Sequence, residues 1–315
     1  MRLLTILFLF STNSIFAAGY CTDYENVETD VITFTPGVID LSSLSNCEFA
    51  PDGYEITIYE FGMCTEAPGA PTGASAADTS TNCVTIFQSD SGEAFNLAAG
   101  VSFDTSSSEK PANGTYTHGY VLMQNTFGIT ISQEFGEEMG GMNIESGSGI
   151  FCASAANNVT GDTTIYGSNH ETVAALNQDF VTCSNTRPTA TKVTEVLDSF
   201  GCLDVSIPAT CDFSASGDTD DGAMTAYLVN EATLNGALVD QNYVTDSDLA
   251  ADRLVGVLAW NSPVIITDST SEADLQFSVN NGTSAQIHPP TFGGADGYDI
   301  FVFGSGPFSL NIQVQ

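Results

Sequence analysis

The sequence predicts an all-β, disulfide-linked chain: two antiparallel β-sandwich-like domains with one or two short helices between them. Three observations carry that expectation. Short apolar or alternating runs dominate, clusters of Gly, Pro, Asn, Asp and Ser separate them, and the eight cysteines form an even set.

Residues 1–19 read as a secretory signal peptide. Arg2 supplies the cation, Leu3 to Phe10 the apolar run, and Ala17, Ala18 and Gly19 the small residues before Tyr20. The run is far shorter than the roughly 20 residues that span a bilayer. The mature chain is therefore expected outside the cell or in the periplasm, secreted or held at the surface, soluble and not inserted in a membrane.

The strand-like runs, in order, are Val31 to Thr35, Tyr54 to Phe61, Val84 to Gln88, Tyr120 to Gln124, Phe127 to Phe135 and Met224 to Val229. Leu254 to Trp260, Val264 to Thr267, Leu275 to Val279 and Tyr298 to Phe303 continue the series. At the C-terminus Phe308, Leu310, Ile312 and Val314 alternate with Ser309, Asn311, Gln313 and Gln315. That period of two predicts a half-buried strand whose polar side chains face solvent.

One segment has a different period. After Pro188, Val193, Val196, Leu197 and Phe200 recur at helical spacing, and Gly201 stands where a helix C-terminal glycine belongs, so a short helix is predicted over 189–200. A second helix over 170–181 would carry Val173, Leu176 and Phe180 on its apolar stripe. An internal echo, Gly119 to Ile129 against Val255 to Ile265, places strand runs on both sides of an Asn-centred break. The expected organisation is a signal peptide over 1–19, an N-terminal β domain over 20–188, a helix or linker over 189–201 and a C-terminal β-sandwich over 202–315.

Export makes the cysteines a bridge framework. Cys64 and Cys83 flank a Pro/Gly/Ala/Thr-rich loop and are expected to pair, as are Cys202 and Cys211 around a short turn. Pairing neighbours throughout adds Cys21 with Cys47 and Cys152 with Cys183. Zinc fits poorly, since no C-x-x-C occurs.

The formal charge of −34 reflects scarce bases, because Lys and Arg together number 5 against 39 acids. Arg2 falls in the signal segment. Ion pairs cannot hold such a chain together, and the negative field argues against nucleic acid and anionic membrane as partners.

The motifs that would announce chemistry are missing. There is no G-x-S-x-G elbow, His170-Glu171 lacks a second histidine at position 174, and no phosphate-binding loop with Lys occurs. His118, His170 and His288 read as hydrogen-bonding residues of loops or strand ends. Calcium is the one cofactor the sequence suggests: Asp218, Asp220 and Asp221 before Gly222 resemble a D-x-D calcium loop whose glycine comes one residue early. Asp246, Asp248 and Asp252, and Glu134, Glu137 and Glu138, are further acidic groups. Sequons stand at Asn113, Asn158 and Asn281.

With no catalytic signature, the expectation is an exported structural or adhesive binding protein at or beyond the cell surface. Its partners would be an extracellular glycan, a surface protein or copies of itself. The rival expectations are a carbohydrate-active enzyme or carbohydrate-binding module, and a filament subunit assembled by strand exchange. The first would need exposed aromatics beside a carboxylate pair. Trp260, the sole Trp, lies in an apolar run and is expected in the core.

Overall fold

A computed structural model describes residues 19–23, 31–34, 44–97, 110–141, 146–157, 161–166, 180–202, 211–219, 221–239, 251–271, 273–288, 299–306 and 308–314. Positions 1–18 of the expected signal peptide, residues 170–179 of the second expected helix, Asn158, Asp246 and Asp248 lie outside these residues.

The chain begins with β1 (Gly19–Asp23), β2 (Val31–Phe34) and β3 (Leu44–Phe49), followed by the long hairpin of β4 (Gly53–Cys64) and β5 (Cys83–Asn96). Next come β6 (Gly114–Gln124), β7 (Thr126–Thr130), β8 (Ser132–Gly140), β9 (Ser148–Ser154), β10 (Thr164–Tyr166) and β11 (Val181–Ser184). Then follow β12 (Val193–Val196), β13 (Gly201–Cys202), β14 (Cys211–Asp212), β15 (Ser214–Thr219) and β16 (Gly222–Asn230). The one-turn helix α1 (Glu231–Leu234) leads to β17 (Ala237–Leu238), β18 (Arg253–Ile266), β19 (Ala273–Ser278), β20 (Thr283–His288), β21 (Asp299–Ser305) and β22 (Ser309–Val314). No helix among the described residues is long and apolar enough to cross a membrane.

Two large sheets result, one of ten strands built around β4, β6 and β18, and one of eight running from β11 to β2. Pairing is antiparallel except for β10 with β12 and β21 with β8. Strands from the segments expected as separate domains pair with one another: β6 carries a ladder to β18, β3 pairs β20, and β8 pairs β21. The two echoing segments are thus sheet neighbours, with Gly119 opposite Leu258 and Gln124 opposite Arg253.

Strand β4 shows why this sequence sits in the middle of a sheet. Tyr54, Ile56 and Ile58 alternate with more accessible residues, whereas Phe61, Met63 and Cys64 lie in a stretch enclosed on both faces. Their β-branched and aromatic side chains suit a pleated, covered surface. One edge of β4 pairs β5, and the other pairs β6 and β7, which lie end to end with Asn125 between them. Beyond that double strand, β18 continues from β6 and β12 from β7, so the sheet forks at Asn125.

Passage between the sheets is abrupt. β7 belongs to the ten-stranded sheet and β8 to the eight-stranded one, with Ile131 alone between them, 1% exposed. Buried Ser154 on β9 secures the corner, accepting from the Ile131 amide at 3.1 Å and donating to the Thr191 carbonyl at 2.7 Å.

Both sheets contribute to one apolar core. Tyr54, Ile58, Met63, Met123 and Ile129 come from the larger, and Phe135, Met139, Ala285 and Phe301 from the smaller. Burying each large side chain contributes roughly 1.5–3 kcal/mol. Trp260 belongs to this core, with Nε1 donating to the Leu310 carbonyl at 3.0 Å. Gly119 makes room for it, because a Cβ there would stand 2.8 Å from the indole.

Two expectations are corrected. The helix over 189–200 is absent: Val193–Val196 is a strand, paired with β7 and β10. Thr191, Val193, Thr194 and Val196 are β-branched, and two neighbouring strands supply backbone partners that an isolated turn of helix would lack. The C-terminal strand does bury Phe308, Leu310 and Ile312, but Ser309 is buried as well and donates to the Asp221 carboxylate at 2.7 Å. Strand β22 is covered on both faces at its first residue.

Candidate functional site

The cysteines form a regular constellation. Cys64 faces Cys83 across β4 and β5, and Cys152 faces Cys183 across β9 and β11; both pairs are bonded, with Cα atoms 3.9 and 4.1 Å apart. Cys21 stands opposite Cys47 across β1 and β3, and Cys202 opposite Cys211 across β13 and β14. Directly opposed positions on antiparallel neighbours are the closest that two Cβ atoms of a sheet come, so residue spacing and strand register together select these partners.

The loop inside the Cys64–Cys83 bridge is ordered by short polar contacts. Thr72 and Ser75 exchange backbone hydrogen bonds, and Asp78 accepts from the Ser80 amide and hydroxyl and from Thr81. Those bonds hold the Asp78 carboxyl below its ordinary value. The loop docks on β17, where the Leu238 amide donates to the Thr72 carbonyl at 3.0 Å.

The acidic stretch singled out for calcium is the tip of the β15–β16 hairpin. Thr219 pairs with Gly222, and Asp221 is a turn residue between them. Gly222 is required by close approach, since a Cβ would stand 2.0 Å from the Ala259 carbonyl oxygen. Asp218 is exposed, Asp221 holds Ser309, and Asp220 lies outside the described residues. A small recess beside the turn is lined by Asp218, Thr219, Ser278, Asn280, Asn281, Phe308 and Ser309, with a volume of about 20 Å³, room for about one water molecule. Among the described residues no group of three or more His, Cys, Asp or Glu is placed to hold a metal.

The other acids and the histidines are dispersed. Glu134 pairs with Arg187 at 3.2 Å, Glu138 accepts from Asn185 at 3.1 Å, and the Asp252 carboxylate receives the first two amides of α1. The Glu137 side chain is not among those described. His118 lies on β6 with Nδ1 2.8 Å from the Thr117 hydroxyl, and burial lowers its pKa. His170 and the His288 side chain lie outside the described residues. Of the sequons, exposed Asn113 donates to Asp268, and Asn281 sits in the β19–β20 turn.

The four Lys and Arg residues beyond Arg2 are all engaged. Lys192 pairs with Glu55 at 2.7 Å and Lys110 donates to the Thr267 carbonyl at 2.6 Å. Arg253 stacks 4.0 Å over Tyr59, and Arg187 lies 4.7 Å over Phe151. Such exposed pairs contribute about 0–1 kcal/mol each.

One perturbed carboxyl is a residue that the sequence did not single out. Glu195 alternates with Thr194 and Val196 along β12 and therefore shares the inward side of fully buried Val193. The residue as a whole is half-buried, but its carboxyl is enclosed by protein and accepts from the Ser305 amide at the end of β21. Burial pushes its pKa up, the Ser305 hydrogen bonds oppose that, and nearby Asp198, 8% exposed, adds to the rise. A helix would have turned Glu195 away from the apolar stripe, which is why helical spacing concealed it.

Comparison of the chain with protein-family models, with curated proteins and with solved structures finds no match.

Proposed function

We infer that this is an exported structural or adhesive protein, a disulfide-braced β scaffold that works at or beyond the cell surface on an extracellular glycan, a surface protein or copies of itself. The observation that supports the reading is the placement of all eight cysteines in directly opposed pairs on neighbouring strands. Cross-links of this kind tie adjacent strands of a ladder to each other, and they persist where thiols are oxidised. The expected signal peptide over 1–19 delivers the chain there. Trp260 in the core speaks against its use as a sugar-stacking platform. Pairing of β22 with β19 of the same chain favours a self-contained subunit over one that lends this strand to a neighbour.

The test is location followed by adhesion. Antibody should label intact, unpermeabilised source cells or their matrix, and deletion of residues 1–19 should abolish the label. Purified protein should then rebind that surface. Retention of the full chain inside the cell would overturn the reading.

A further inference from the structure

The eight-stranded sheet buries a hydroxyl that the fold does not use. Thr283 opens β20 between two strands, standing opposite Phe49 of β3 on one side and Ser305 of β21 on the other. The residue is 0% exposed, and among the described residues no donor or acceptor meets its Oγ1. An enclosed hydroxyl without a partner destabilises the folded chain, whereas valine has nearly the same shape, is equally β-branched and carries no such cost. Packing therefore gives no reason for Thr at this position.

The residue two places earlier supplies one. Asn281, Gly282 and Thr283 form an N-x-[ST] sequon, in which a transferase reads the hydroxyl of the third residue and modifies the amide of the first. The acceptor is placed to carry a branch. Asn281 lies in the turn between β19 and β20, closed by the Gly282 amide donating to the Val279 carbonyl at 2.9 Å, and its partly accessible side chain lines the recess beside the β15–β16 tip. That recess has room for about one water molecule, so an attached sugar lies outside it, beside the end of β15. The Asn113 sequon differs, because Thr115 is exposed and its hydroxyl meets solvent.

We propose that Asn281 is an N-glycosylation site, modified before β20 joins its sheet. The order follows from Thr283, whose hydroxyl no enzyme reaches once β3 and β21 flank it. The donor is an oligosaccharide joined through pyrophosphate to a lipid. Nδ2 of Asn281 attacks the anomeric carbon and a C–N bond forms. The C–O bond to pyrophosphate breaks, lipid pyrophosphate departs with that electron pair, and the amide proton passes to a base of the transferase. The transfer accompanies export and so rests on the reading of this chain as an exported protein. A bulky, hydrated branch at Asn281 stands beside β15, which among the described residues pairs with β16 alone, and shields that open strand edge from other chains.

The experiment is mass spectrometry of the full chain purified from its source cells, read on the peptide that contains Asn281 before and after treatment with peptide N-glycanase. Most wild-type molecules should carry oligosaccharide on Asn281, and the enzyme should release it and leave aspartate there. Produced in the same cells, Thr283→Ser should keep the modification, and Thr283→Val and Asn281→Gln should lose it. A bare Asn281 on protein recovered outside the cell overturns the site and leaves export standing, whereas a bare Asn281 on protein retained inside overturns both. Oligosaccharide persisting on Asn281 in Thr283→Val also overturns the proposal. Thermal unfolding of Asn281→Gln with and without Thr283→Val, neither form able to carry the branch, tests the idle hydroxyl. The double variant should melt no lower than the single one, and a marked fall would give Thr283 a structural role and overturn the proposal.

Discussion

Asn125 donates from Nδ2 to the Ala251 carbonyl at 3.0 Å, joining the point where β6 gives way to β7 to the approach to β18. The same amide donates to the Leu197 carbonyl at 2.9 Å, just past β12, and the Leu197 amide returns a bond to the Asn125 carbonyl at 2.7 Å. One side chain thus supplies the donors where the sheet divides and regular ladder pairing stops. It is 4% exposed, so water cannot readily replace it.

Replacing Asn125 with Ala should therefore leave enclosed carbonyls unsatisfied, at a cost of about 1–3 kcal/mol, and Asn125→Asp should be at least as damaging because a carboxylate brings acceptors where donors are needed. Urea unfolding of both variants measures this. Losses below about 0.5 kcal/mol in each would show that the fork needs no staple.

The bridges should matter more than the ion pairs. Closing loops of 19 and 31 residues stabilises by about 3 and about 4 kcal/mol in the chain-entropy account, against about 0–1 kcal/mol for Arg187–Glu134 or Lys192–Glu55. Cys64→Ser with Cys83→Ser should lower the melting temperature markedly, whereas Lys192→Gln should leave it nearly unchanged. Peptide mapping without reductant should recover the Cys64–Cys83 and Cys152–Cys183 pairs, and free thiols at these positions would contradict the bracing role.

The strands were legible where one physical rule dominated. Phe308, Leu310 and Ile312 alternate because one face of β22 meets the core, and the apolar runs at β4 and β18 are strands because β-branched and aromatic residues outnumber helix formers there. Legibility failed at Val193 to Phe200, where four apolar residues fit a helix by spacing although β-branching favoured a strand. The reading of that segment also decided whether Glu195 would be noticed, since helix and strand turn it in opposite directions. Ser309 shows the converse limit. Its alternation predicts solvent, but its partner Asp221 is 88 residues away in sequence, and no local pattern encodes so distant a contact.

Stability should rise with ionic strength. A chain of formal charge −34 whose few cations are already engaged repels itself, and the screening length shrinks from about 8 Å at physiological salt to about 3 Å at 1 M. Melting temperature should climb through that range of sodium chloride. Matched ionic strengths of calcium chloride separate screening from binding: an additional rise that Asp218→Asn removes would assign calcium to the β15–β16 turn, and superimposable curves would leave screening as the whole effect.

The last prediction concerns the C-terminal strand. β22 is held by its ladder to β19, by Trp260 donating to the Leu310 carbonyl, and by Ser309 donating to Asp221. Phe308, Leu310 and Ile312 are 6%, 4% and 7% exposed, and at roughly 1.5–3 kcal/mol each their burial alone approaches the net stability of a typical domain. Deleting residues 308–315 should also strip Phe308 from the ring of Tyr54, 6.2 Å away. The intact protein should then run as a monomer in size-exclusion chromatography, and the truncated form should unfold or aggregate, because the strand completes its own chain. If it were instead lent to a neighbour, the intact protein would polymerise and the truncation would remain folded but unassembled. A truncated form that stays folded and monomeric, from an intact protein already monomeric, would show that the three apolar side chains contribute far less than their burial implies.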